Sequence, residues 1–171
     1  MSTKLALVQT LPLTLLACQS TAEVVAADEA VRAPLFDAVK SLEGRWEGTG
    51  EDGMQLVHEF QVTSNGSVVR ELMFPGTPHE MTNMYALDGN SLAMTHYCAA
   101  GNQPRMRASA KEGNRIAFHA AGVEDLKSKD DLYMGAMTLV FVDADHIEQH
   151  WTAWRGGKVD HSPAFELHRV R

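Results

Sequence analysis

With 171 residues, 44% of them hydrophobic, the chain has the size of one domain and enough apolar side chains for a single core. Lys and Arg number 15 against 22 Asp and Glu, a formal net charge of −7. That balance counts against a nucleic-acid partner, which needs a basic face to displace phosphate counterions.

At the N-terminus Lys4 precedes an apolar run from Leu5 to Leu16, broken by Gln9, Thr10, Pro12 and Thr14. The run is shorter than the ~20 residues of a membrane-spanning helix and suits the core of an export signal. It ends in Leu15-Leu16-Ala17-Cys18, which resembles the bacterial lipobox. The resemblance implies cleavage after Ala17, with residues 1–17 as signal peptide and acyl chains on Cys18. The protein would then be anchored to a membrane of the cell envelope, each buried methylene contributing about 0.8 kcal/mol. Ordinary secretion, with a cut near Ala26-Ala27, is the alternative. Residues 18–33 are rich in Ala, Glu, Asp, Ser and Thr and read as a tether.

From residue 34 to 171 the chain reads as one folded unit. Pro34 stands at a first helical turn, and Leu35, Phe36, Val39 and Leu42 make an apolar stripe at helical spacing that ends before Gly44. The pattern then changes to strands with hairpin punctuation. Arg45 to Thr49 comes first; Leu56 to Thr63 and Ser67 to Phe74 flank Ser64-Asn65-Gly66. His79 to Leu87 and Ser91 to Cys98 flank Asp88-Gly89-Asn90, and Arg105 to Ala110 and Arg115 to Ala121 flank Glu112-Gly113-Asn114. After a charged loop from Gly122 to Leu132, Gly135 to Val142 and His146 to Trp154 flank Asp143-Ala144-Asp145, and Ala164 to Val170 closes the chain. About ten strands in an antiparallel meander favour closure into an up-and-down barrel, because twist and bare edges make so long an open sheet unfavourable. The fold class is all-β with a short N-terminal helix.

Leu42-x-Gly44-x-Trp46-x-Gly48-x-Gly50 after a short helix resembles the opening of calycin-type barrels: lipocalins, fatty-acid-binding proteins and nitrobindins. Thr95 to Met106, with Asp143-Ala144-Asp145-His146 and Trp151-Thr152, is similar to a narrower group of bacterial secreted domains without an assigned reaction. The resemblance implies that Trp46 closes one barrel end under a stacked arginine, Arg169 or Arg171, a contact worth about 0.5–2 kcal/mol. Nitrobindins hold haem through a histidine near the C-terminus, so haem is the alternative cofactor here, with His161 and His168 as candidate ligands; the apolar phase of the last strand turns His168 outward.

Function in such a barrel lives in inward-facing polar groups. Alternation sets Leu92, Met94, His96 and Cys98 on one face and Ala93, Thr95 and Tyr97 on the other, which takes His96 inside. Asn83 and Tyr85 share a face with Met81 and Leu87, and His58 shares one with Leu56, Phe60 and Val62. Two strands leave both phases open: Val69, Glu71 and Met73 compete with Val68, Arg70, Leu72 and Phe74, and Ile147, Gln149 and Trp151 compete with Glu148, His150 and Trp154. His119 points out. Cys98 reads as a small apolar side chain, since nothing supplies the third, orienting group that a nucleophile beside His96 would need.

The leading reading is a barrel binding a small apolar or amphiphilic molecule, oriented by His96, Tyr85, Asn83, His58 and Arg105. A second class is enzymatic, with His96 as acid or base at the barrel mouth. No Ser-His-Asp order, glycine-rich phosphate loop or carboxylate pair singles itself out, so no catalytic residue is assigned. A third is a barrel filled by its own methionine and phenylalanine side chains, acting as an envelope interaction module. His146 and His150 do not share a metal, because four residues of strand separate them by about 13 Å. No metal ligand is assigned.

Overall fold

The structure, a computed structural model, describes residues 26–50 and 53–171. Ten strands form a closed antiparallel barrel: β1 (Gly44–Thr49), β2 (Gln55–Thr63), β3 (Val68–Met73), β4 (Met81–Asp88), β5 (Ser91–Tyr97), β6 (Gln103–Ala108), β8 (Arg115–Glu124), β9 (Tyr133–Phe141), β10 (His146–Arg155) and β12 (Ala164–Arg169). Each pairs with its neighbour in chain order, and β12 returns to β1 to close the ring. Two short strands, β7 (Lys111–Glu112) and β11 (Lys158–His161), extend hairpins outside the wall. The ten expected strands thus stand within a few residues of their sequence positions. The charged loop is shorter than expected, because β8 runs on to Glu124.

One end of the barrel is plugged by a helix of three parts: Glu29–Arg32, a π-helical turn Ala33–Asp37, and Ala38–Lys40. It begins before Pro34, so the last residues of the expected tether are helical. Proline inside a helix has no N–H to donate and crowds the preceding turn; here it falls in the widened π-helical turn, a usual accompaniment of such an irregularity. Leu35, Phe36, Val39 and Leu42 are buried against the barrel. The helix start is tied to the β4–β5 turn, where the Asp28 amide donates to Asn90 Oδ1 and Asn90 Nδ2 donates to Asp28 Oδ2.

The Gly-x-Trp-x-Gly segment earns its residues at this end. Trp46 is fully buried and donates from Nε1 to the Leu42 carbonyl at 2.7 Å. The Arg169 guanidinium lies 4.3 Å from the Trp46 ring centroid and donates to the carbonyls of Glu43 and Ser41. Of the two arginines proposed, Arg169 is the one stacked; Arg171 pairs instead with Asp145. Gly48 is required for a different reason: a Cβ there would stand 2.0 Å from the carbonyl oxygen of Glu166 on the neighbouring strand β12.

Above the plug lies a continuous apolar layer that includes Phe60, Val69, Leu92, Met94, Met106, Ile116, Phe118, Leu139, Ile147 and Leu167. These are the inward members of the alternating pattern on each strand. Toward the opposite end of the barrel the interior turns polar.

Candidate functional site

Alternation and register together build the polar interior. On β2 the buried phase is Leu56, His58 and Phe60; on β5 it is Leu92, Met94 and His96. The two undecided strands resolve as Val69, Glu71 and Met73 on β3, and Ile147, Gln149 and Trp151 on β10. Pairing sets Glu71 directly opposite Asn83, and Asn83 directly opposite His96. Three adjacent strands therefore carry an acid, an amide and an imidazole in a row across the wall, facing in.

Glu71 is the hub. Its Oε1 accepts from His58 Nδ1 at 2.7 Å and from Gln149 Nε2 at 2.6 Å. Its Oε2 accepts from Asn83 Nδ2 at 2.7 Å and from the Tyr85 hydroxyl at 2.6 Å. The two amides are held in turn: Trp151 Nε1 donates to Gln149 Oε1 at 3.1 Å, and His96 Nδ1 lies 2.7 Å from Asn83 Oδ1. An ionised carboxylate only accepts, so the four donors that reach Glu71 point at it and both amides have one allowed orientation. Asn83 Oδ1 likewise only accepts, which places the His96 proton on Nδ1 and leaves a lone pair on Nε2.

Glu71 is fully buried. Burial alone would raise its pKa; the hydrogen bond and charge of His58, with the bonds from Asn83 and Tyr85, outweigh that and hold the carboxyl below its ordinary range. Tyr85 is pushed well above its ordinary value by burial and by the Glu71 charge, so it remains a donor. Burial lowers His96 to about 4, against a smaller opposing pull from Glu71, and keeps its ring neutral near pH 7. Cys98 is raised by burial, which makes its thiol a poor nucleophile.

Two atoms of this cluster are left over. His58 Nε2 and His96 Nε2 are buried with no hydrogen-bond partner among the described residues. A buried polar atom in that state costs about 1–3 kcal/mol. His58 sits between two aromatic rings, Phe74 at 5.2 Å and Phe165 at 5.7 Å between centroids, which also meet each other edge to face at 5.6 Å. Phe74 adopts a left-handed backbone (φ 54°), a conformation that costs a bulky residue on the order of 1–2 kcal/mol. Trp151 lies 4.9 Å from the His96 ring. At the mouth, Leu56 and Phe165 join Gly50, Met54, Ser162, Pro163 and Ala164 around a groove of about 350 Å³. Four other surface grooves measure about 220–280 Å³, and neither Glu71 nor His96 lines any of these five.

Of the residues singled out in the sequence, His58, Asn83, Tyr85 and His96 come together in this cluster. Arg105 does not. The inward phase of β6 is Pro104, Met106 and Ala108, so Arg105 stands on the outer face, 3.3 Å from Glu124. His161 and His168, the candidate haem ligands, are exposed on the outer wall beside Asp160 and Glu166, and neither reaches the interior. Cys18 lies outside the described residues. Glu71, Gln149 and Trp151 were not singled out, because both phases of their strands carry comparable apolar weight. One signal could have found Glu71: the inward-facing donors of Asn83, Tyr85 and His58 need an acceptor, and it is the acid that one phase of β3 brings among them.

No protein-family model matches the chain, and a search of curated proteins finds no match.

Proposed function

We propose that the protein is a calycin-like ligand carrier, held at the cell envelope through Cys18, that binds a small uncharged amphiphile at the polar end of its barrel. The observation that carries this reading is the Nε2 atom of His96, a buried acceptor without a donor. An interior serving stability alone gains little from a buried carboxylate surrounded by polar groups, since well-packed apolar residues of similar volume are often at least as stable. The Glu71 network instead fixes the His96 ring by its Nδ1–H and presents Nε2 as an acceptor.

The chemistry of the cluster selects the ligand. Its polar head carries an O–H or N–H that donates to His96 Nε2. Phe165 lines the groove beside Leu56 and packs with Phe74 against His58, so the apolar body enters there by displacing that pair and then lies against Trp151. A carboxylate head is disfavoured, because it would stand in a low-dielectric interior with the Glu71 anion and has no proton to give.

Trp151 reports occupancy of the site. Titration with octan-1-ol should give a saturable change in tryptophan emission that Trp151→Phe removes. Octanoate at pH 7 should bind about tenfold or more weakly, and His96→Phe, checked for fold by circular dichroism, should lose the alcohol response. Equal binding of octanoate, or unchanged octanol binding by the His96 variant, would refute the proposal.

A further inference from the structure

On the outside of the barrel, away from the Glu71 cluster, β10 and β12 bring together three metal-ligating side chains that the interior reading does not use. His146 and His168 are paired across the two strands, and their rings stack with centroids 4.4 Å apart. Glu166 lies two residues before His168 and so shares its face. Its Oε1 is 3.2 Å from His146 Nε2 and 3.5 Å from His168 Nε2. One ligand atom from each of the three residues lies within 4.8 Å of the other two.

These separations suit a shared metal ion. Around a tetrahedral ion with donors about 2.1 Å away, neighbouring donor atoms stand about 3.4 Å apart. The 3.2 and 3.5 Å separations fall on either side of that figure. His146 Nε2 is itself buried and its approach to Glu166 lacks hydrogen-bond alignment, so it has no hydrogen-bond partner among the described residues. Nearby charges leave the triad free. Glu47, across from His168 on β1, is taken by Arg45, and Glu148 is taken by His150 at 2.8 Å. The strand geometry that keeps His146 and His150 apart does not keep His146 from His168, which is its neighbour across the sheet.

We infer that His146, Glu166 and His168 form a binding site for a divalent late first-row transition ion such as Zn²⁺. Two imidazoles and one carboxylate are a donor set that such ions favour over Mg²⁺ or Ca²⁺, which prefer all-oxygen surroundings. Three protein ligands on an exposed wall leave further positions to water.

The test is calorimetric titration of the chelator-stripped full chain with ZnCl₂, beside MgCl₂. The expected result is one Zn²⁺ per chain and no measurable Mg²⁺ binding. His168→Ala and Glu166→Gln, both at exposed positions, should each weaken Zn²⁺ about tenfold or more, while His150→Ala on the same face leaves affinity within about twofold. Cobalt substitution adds a visible d–d band that disappears with His168→Ala. A wild-type chain that takes up no Zn²⁺, or a His168 variant that binds it unchanged, overturns the assignment.

Discussion

Replacing Glu71 by Gln is the sharpest single perturbation of the interior, because it keeps the shape while removing the charge and the capacity to accept on one side. The carboxylate accepts two hydrogen bonds at each oxygen, from His58 and Gln149 at Oε1 and from Asn83 and Tyr85 at Oε2. A glutamine retains one acceptor oxygen and turns an NH₂ group toward the other pair of donors. With the amide nitrogen toward His58 and Gln149 two buried donors lose their acceptor; toward Asn83 and Tyr85 one does, since the Tyr85 hydroxyl can turn to accept. At about 1–3 kcal/mol for each buried group left unsatisfied, Glu71→Gln costs roughly 1–6 kcal/mol. That is a large part of the 5–15 kcal/mol typical of a domain. Urea unfolding at pH 7, followed by tryptophan fluorescence, should show the midpoint fall with little change in slope. A loss under about 1 kcal/mol would mean that the four donors are not organised by the Glu71 charge, and the reasoning would fail with it.

The other predictions rest on separate parts of the structure. His96 is held at about 4 in the fold, against 6.5 when exposed, so its stabilising contribution is complete above pH 6.5 and lost as pH falls toward 4. At about 1.4 kcal/mol per tenfold in proton affinity the loss is roughly 3 kcal/mol, and stability measured at pH 7 and pH 4.5 should differ less in His96→Gln than in the wild type. Glu71, also lowered, contributes stability that is lost further down, as pH falls below the ordinary carboxylate range; Tyr85→Phe, which removes one donor, should move that acid limb to higher pH and cost about 1.5–3 kcal/mol at neutrality. Gly48→Ala places a methyl group 2.0 Å from a backbone oxygen that no rotamer can move, and should cost about 1–3 kcal/mol or more in thermal or urea unfolding. Arg169→Ala removes the ring contact with Trp46 and two hydrogen bonds to the helix exit, a loss of about 2–4 kcal/mol by the same assay, with Arg169→Lys restoring only part of it.

The wall of this barrel was legible because its punctuation is chemical. Asn65-Gly66, Gly89-Asn90 and Gly113-Asn114 stand between runs of alternating residues, and each marks a hairpin found in the structure. The two-residue β7 and the wholly exposed β11 were not legible, since so short a segment has no period to read and no buried face to reveal one. At Pro34 the local rule misled: a proline signals a first turn, but the helix begins earlier and absorbs it in a π-helical turn.

The site was half legible. His58, Asn83, Tyr85 and His96 lie on strands where one phase is clearly the more apolar, so hydrophobic alternation carries the polar residue inside. On β3 the choice between Glu71 and Arg70 is not local. The carboxylate can be buried because donors from β2, β4 and β10 meet it there, while the Arg70 guanidinium stays exposed. Gln149 and Trp151 follow the same logic, as their strand turns the side inward that completes the network. Arg105 shows the converse. Its side chain stands outside because Met106 and Ala108 claim the interior of β6.

Nitrogen-15 NMR of the histidine side chains, with octan-1-ol added at pH 7, tests the central claim most directly. The account predicts a neutral His96 with its proton on Nδ1, and an Nε2 resonance that moves to the hydrogen-bonded position as the alcohol saturates. A charged His96, a proton on Nε2, or an Nε2 signal indifferent to the alcohol would contradict it.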